Sequence, residues 1–274
     1  METLRLASCM AENTDALCRS IAEYIAGGLG IRTEYICDVS WQERERLLDE
    51  ENIHICWICG LPYVLKADRE SSAVELLVVP VPEGERYRSR PVYFSDIVVR
   101  QDSRFYGFED LRGSSWAYNE PRSHSGYNVV RYYLANLGEM AGYFGRVVES
   151  GSHQMSLRLI LDRQVDAAAI DSTVLEWHLL TDPEVRSQIR IVESLGPSRM
   201  PPWVVSRKLP EELRIRLRAL LLGMHENQQG RRLLAQGRLS RFALAVDSDY
   251  DVIREMARKA EPIDLGLSPP LPTF

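Results

Sequence analysis

Apolar positions along the chain fall into short runs whose period alternates, with polar, Gly- or Pro-bearing links between them. Residues 4–7 read as a short strand. Leu17, Ile21, Tyr24 and Ile25 then recur at helical spacing, with Asn13 or Thr14 placed to cap a helix and Gly27, Gly28 and Gly30 placed to end it. Residues 33–37 predict the next strand, and Ser40 caps a helix running through Leu48. The almost unbroken apolar run 53–58 is what a parallel strand covered on both faces requires. Gly60 to Tyr63 opens a short helix, and 74–81 is a further buried strand. Strands alternating with helices over short links are the signature of an open α/β sheet.

A polar turn at 83–89 leads into the β-branched run 92–100, which carries the chain out of this first unit. After a helical turn at 108–113 a second series follows, with strands at 115–118, 146–149, 166–170 and 189–193 and helices at 125–137, 153–162 and 172–180. Val204 and Val205 return the chain to the first unit, where helices at 213–224, around Leu233 and Leu234, and at 249–259 complete it. The Pro-rich end, 268–274, suits neither regular helix nor interior strand. The expectation is an α/β protein of two lobes, 1–96 plus 203–274 and 97–202, hinged near 92–100 and 196–206 around an inter-lobe ligand cleft. In open α/β sheets ligands sit at the carboxyl ends of strands.

Composition narrows the function. A net charge of −6 argues against a nucleic-acid surface, and the arginines of 211–218 alternate with acids as a solvated face does. No apolar run approaches the roughly 20 residues of a membrane span, so no membrane insertion is expected. Residues 1–6 lack a basic region followed by an apolar one, which points to the cytoplasm, or to export with a leader that lies outside this sequence. Five cysteines (Cys9, Cys18, Cys37, Cys56, Cys59) sit in the first quarter and read as reduced, buried thiols. The Cys56–Cys59 pair has CxxC spacing but falls inside an apolar strand, with no second pair to complete a zinc site. No dinucleotide, Walker, GxSxG or HExxH pattern occurs, and neither cofactor nor metal is expected.

Candidate chemistry concentrates in the second series. Three strand-to-helix junctions carry small polar residues: Ser123-His124-Ser125-Gly126-Tyr127, Gly151-Ser152-His153 and Asp171-Ser172-Thr173. Taken singly, each Ser, Thr or Asp is a good helix N-cap. Three in successive junctions converge on one sheet edge, where backbone N–H groups and hydroxyls suit an oxyanion. His153 donates from either nitrogen according to protonation. Asp171, which repels an anion, makes sense toward a P–OH or an amine. His124 lies within the loop, and Tyr63 and Tyr93 are placed either to line a cleft or to pack in the core. A Ser125, His153, Asp171 triad can be drawn, but these residue types are too common for that to assign catalysis.

These segments have a resemblance. Asp110-Leu111-Arg112-Gly113 followed by Asn119-Glu120-Pro121-Arg122-Ser123-His124-Ser125-Gly126-Tyr127 resembles the DLKG…DPxSTSGY pattern of the phosphonate-type (PhnD-like) substrate-binding proteins of ABC transporters. Gly151-Ser152-His153 is similar to that family's GSH, the stretch Val165 to Ser172 to its VDAAAxDS, and Trp57 to Tyr63 to its WxGxxPY. The resemblance implies a type II periplasmic-binding-protein fold that closes on a small oxyanion such as a phosphonate or phosphate, delivered to a transporter permease. It implies ligand contacts from Ser123, His124, Ser125, His153 and Asp171 on one lobe and from Tyr63 and Tyr93 opposite. The family's central Thr is His124 here, a larger group that shrinks the pocket or adds charge near neutral pH. Two other readings stay open: an enzyme of the same architecture acting on a small carboxylate or pyrimidine precursor, and a ligand-sensing module.

Overall fold

The computed structural model describes residues 3–266; the Pro-rich end at 268–274 lies outside the described residues. In chain order the strands and helices are β1 (Leu4–Ser8), α1 (Asp15–Leu29), β2 (Thr33–Ile36), α2 (Trp41–Asp49), β3 (Ile55–Trp57), α3 (Gly60–Ala67) and β4 (Val74–Pro82). Then come β5 (Val92–Arg100), β6 (Ser115–Tyr118), α4 (Val129–Asn136), β7 (Arg146–Glu149), α5 (His153–Leu161), β8 (Ala167–Asp171), α6 (Ser172–Thr181), α7 (Pro183–Gln188) and β9 (Ile189–Arg199). The chain ends with β10 (Trp203–Ser206), α8 (Glu211–Leu222), α9 (Gln228–Gln236), β11 (Leu239–Ala243) and α10 (Asp251–Ala260). It divides into two compact units, residues 3–92 with 199–251 and residues 93–198 with 252–266.

The first unit is a six-stranded sheet in the order β11-β4-β10-β3-β1-β2. β1 runs parallel to β2 and β3, while β10 is antiparallel to β3 and β4. Trp203 of β10 pairs with Trp57 of β3, and the two indoles stack at 5.7 Å. The Arg44 guanidinium donates to the Ser8 and Cys37 carbonyls and to the Asp15 carboxylate, and Lys66 is buried between Glu45 and Asp49. The arginines of 211–218 are not merely a solvated face: Arg214 and Arg218 both pair with Glu75, and Arg218 also donates to the Leu76 carbonyl. Cys18 and Cys56 are buried thiols as expected, but Cys9, Cys37 and Cys59 are only half-buried. The CxxC segment is not all strand, because β3 ends at Trp57 and Cys59 is the N-cap of α3.

The second unit is a five-stranded sheet in the order β7-β6-β8-β5-β9. β6 is parallel to both β7 and β8, and β5 runs antiparallel to β8 with Ser95 opposite Asp171. Alternation along the strands buries both faces. Ile97, Val99, Trp116, Tyr118, Val147, Ala167 and Ala169 pack to one side with Phe108, Tyr143, Phe144 and Val129. Val98, Ala117, Val148, Ala168 and Ile170 pack to the other with Leu157, Ile160 and Leu175.

The observed division corrects the expected one at its end. Residues 252–266 belong to the second unit, not the first. The buried positions of α10, Ile253, Met256 and Ala260, recur at helical spacing, and Met256, Ile263 and Leu265 join the core around Trp116. Arg131 of α4 donates to the Ile263 carbonyl at 2.9 Å, and Asp264 donates its N–H to the Met140 carbonyl at 2.9 Å. The expected crossings near 92–100 and 196–206 contain the observed ones at 92/93 and 198/199; the third, at 251/252, was not foreseen.

Candidate functional site

Because β7, β6 and β8 are adjacent and parallel, their carboxyl ends lie along one edge of the sheet. All three expected polar junctions leave from those ends. After β6, Pro121 and the polar residues around it break the strand, and Ser123 takes an extended conformation (φ −67°, ψ 129°) as N-cap. Its hydroxyl accepts from the Gly126 N–H at 3.0 Å, satisfying one donor of the first turn. That turn, His124–Asn128, is π-type, closed by the Asn128 N–H on the Ser123 carbonyl, and it continues directly into α4. Gly126 is required here: a Cβ would lie 1.9 Å from the Asn119 Oδ1 and 3.2 Å from the His153 Cε1. The turn is therefore clamped between the strand-end Asn119 and the second junction.

After β7, Gly151 (φ +86°) makes a left-handed bend that Gly alone adopts easily, and Ser152 caps α5 by accepting from the Met155 N–H at 3.0 Å. The Ser150 and Gly151 N–H groups donate to the Tyr118 and Asn119 carbonyls, pinning this junction to the first. After β8, Asp171 accepts from the Thr173 N–H at 2.8 Å and the Thr173 hydroxyl at 2.7 Å. Tyr93, one position before β5 residue Phe94 and two before Ser95, reaches the same edge because β5 runs antiparallel to β8. Its ring meets the His124 imidazole edge-on at 6.5 Å.

The central contact is between the first two junctions. Ser125 Oγ and His153 Nε2 are 2.9 Å apart, both buried. His153 Nδ1 has no hydrogen-bond partner of good geometry. His124 is fully buried, with Nε2 2.9 Å from Ser198 Oγ and Nδ1 3.1 Å from the Asn128 amide nitrogen. Burial pushes both imidazoles down to about 4, the Ala169 carbonyl offsetting a little of this for His153. Both are neutral at neutral pH, so His124 adds bulk to the loop but not the charge that an imidazole there suggested. Burial pushes the Asp171 carboxyl up to about 6, against the Thr173 and Val174 hydrogen bonds, with Asp96 adding to the rise.

The second unit thus brings Tyr93, Ser123, His124, Ser125, His153 and Asp171 to one edge. Tyr63 belongs to the first unit, where its hydroxyl donates to Asp247 at 2.6 Å and its ring packs on Tyr250 at 4.8 Å. Reasoning from sequence missed Ser198 and Asn128. The second had a visible signal, lying four residues after His124 and so within reach of the same ring. The first, 74 residues away, had none. Among the described residues no cluster of three or more His, Cys, Asp or Glu is arranged to hold a metal.

Residues 8–250 match the family model of the phosphonate ABC-transporter periplasmic substrate-binding protein. A curated relative, a probable ABC transporter phosphite binding protein PhnD1 from Prochlorococcus marinus (strain MIT 9301), is 20% identical over 96% of this chain and 91% of its own. The same fold occurs in a binding component of an ABC phosphonate transporter from Pseudomonas aeruginosa, with TM-score 0.83, 19% identity and coverage of 94% of this chain and 86% of that one. It also occurs in PhnD1 from Prochlorococcus marinus in complex with methylphosphonate, with TM-score 0.80, 18% identity and coverage of 96% and 99%. Two α/β units of this topology and a family match over most of the length agree with the motif resemblance, and the chain belongs to the phosphonate-type periplasmic substrate-binding proteins of ABC transporters.

Proposed function

We propose that the protein binds a small phosphorus oxyanion at the edge formed by β7, β6 and β8. The observation that carries this is the convergence of three side-chain-capped junctions, with Ser125 and His153 in contact at its centre. Each cap fixes where a first-turn N–H group and a hydroxyl stand, and helix N-termini favour negative charge. With both histidines neutral, the edge offers dipoles and hydroxyls rather than a cation, which suits an anion that must also be released. Asp171 accepts from a protonated oxygen of the ligand, so the site favours a monoprotonated oxyanion over a fully ionised one. A relative supports the class: PhnD1 of Prochlorococcus marinus is described as a probable phosphite binding protein, and its structure holds methylphosphonate. Family membership also implies a small ligand and a transporter permease as partners.

Catalysis is not favoured by the same geometry. Ser125 and His153 are spaced as nucleophile and base, but no carboxylate orients His153 Nδ1 in the way such a pair requires. The deciding experiment is thermal unfolding against phosphite, methylphosphonate, phosphate and sulfate. A ligand at 100 times its dissociation constant stabilises by about 2.7 kcal/mol. The expected result is a clear rise in Tm with at least one phosphorus oxyanion, abolished in Ser125→Ala and Asp171→Ala. No rise with any of them refutes the reading.

A further inference from the structure

The hydroxyl of Ser198 carries an inference that deepens the reading above and rests on it. Ser198, near the end of β9, is buried, as are Ser123, Ser125 and Asp171. Its Oγ lies 2.9 Å from His124 Nε2. The other nitrogen of that ring faces the Asn128 amide nitrogen at 3.1 Å, a group that only donates. Nδ1 must therefore be the acceptor, and the neutral imidazole carries its proton on Nε2, where it donates to Ser198 Oγ. A hydroxyl that accepts from His124 still has its own proton to place, and a buried O–H needs an acceptor. We propose that this acceptor is an oxygen of the bound oxyanion. Ser198 is then a ligand-contacting residue, and His124 a positioning residue that turns the Ser198 proton toward the ligand.

The chemistry explains why an imidazole stands at the centre of the loop. Both its ring nitrogens are committed inside the protein, so its side chain has no donor left for a ligand. Where the resembled family carries a Thr hydroxyl at this position, this chain reaches through a ring and presents a hydroxyl from a strand 74 residues further on. The ring stays neutral, so the relay is the same across the neutral range. Asn128, held in the same π-type turn as His124, is what fixes the tautomer.

The test is calorimetric titration with phosphite and methylphosphonate of the full chain and of Ser198→Ala, Ser125→Ala, His124→Gln and His124→Leu, with ¹⁵N spectra of the histidine rings. Losing a hydrogen bond to a charged group lowers affinity roughly ten- to hundredfold, and that is expected for Ser198→Ala. His124→Gln retains an N–H for Ser198 and an acceptor for Asn128, so it should restore most of the affinity that His124→Leu loses. The ring spectrum should show His124 protonated at Nε2. If the wild type and Ser198→Ala bind equally while Ser125→Ala is weakened, the inference is wrong and the oxyanion reading stands. If the wild type binds neither ligand, the oxyanion reading fails and this one with it. A His124 ring protonated at Nδ1 overturns the relay directly.

Discussion

The strand-to-helix junctions of the two units differ in how many of them carry a side-chain cap. In the second unit each of the three has a side chain on a first-turn N–H: Ser123 on Gly126, Ser152 on Met155, Asp171 on Thr173. In the first unit only Ser40, between β2 and α2, does so, on the Glu43 N–H, while Thr14 before α1 and Cys59 before α3 make no side-chain cap. There ion pairs stand beside the uncapped helices instead, Arg44–Asp15 at the start of α1 and Lys66–Glu45–Asp49 at the end of α3. A capped junction holds its hydroxyls at fixed positions before any ligand arrives, whereas an uncapped one holds only its backbone. Pre-organisation for an anion is thus concentrated in one unit.

The largest effect that bears on this contrast belongs to the first unit. Lys66→Met removes the buried cation between Glu45 and Asp49, and Glu45 has a side chain only 8% exposed. Removing one member of such a pair costs about 3–5 kcal/mol. Urea unfolding should show that loss, while oxyanion binding by the surviving folded protein keeps its affinity. A loss below about 1 kcal/mol means the cluster is not what supports the end of α3.

Next comes pH, which acts on the second unit. His124 and His153 are held near 4 in the folded chain, below the ordinary 6.5 of histidine. The stability each contributes is full above 6.5 and is lost as pH falls toward 4, on the order of 3 kcal/mol apiece. Asp171 works in the other direction. Its folded value of about 6 lies above the ordinary 3.8, so its contribution is best below 3.8 and declines as pH rises through 6. With two groups against one, the protein loses stability on acidification from pH 7 to pH 4.5, and His124→Gln flattens that dependence. Unfolding temperatures of the two proteins across this range measure it, and an unchanged slope removes His124 as a contributor.

The smallest effect isolates a cap. Ser152→Ala removes the acceptor of the Met155 N–H and should cost about 1 kcal/mol, with Ser152→Asp recovering most of it. Denaturant midpoints are sufficient, and no recovery with Asp would mean that Ser152 acts other than as a cap.

The parts of this molecule that are local in the chain are the parts its sequence announced. Ser123, Ser152 and Asp171 cap turns within three residues of themselves, and their convergence follows from strands that the alternation of apolar positions reveals. The charge state of His124 was not legible, because it depends on complete burial. Ser198 was not legible either, since a strand passing the loop from far along the chain leaves no spacing to read. The strand β11 was not legible, its segment Leu239–Ala243 being short, broken by Ser240 and Arg241, and paired antiparallel with β4. The affiliation of α10 fails for a similar reason: an amphipathic helix states which face it buries, not which unit receives it.

That last helix has a consequence for how the protein is made. The second unit needs Met256, Ile263 and Leu265 to complete the core around Trp116, yet its other core residues in that cluster all precede residue 196. On a ribosome, those earlier residues emerge more than 55 positions ahead of the segment that covers them, with the return into the first unit, residues 199–251, synthesised in between. The sheet carrying the capped junctions therefore waits, its aromatic face incomplete, until residues 252–266 have emerged.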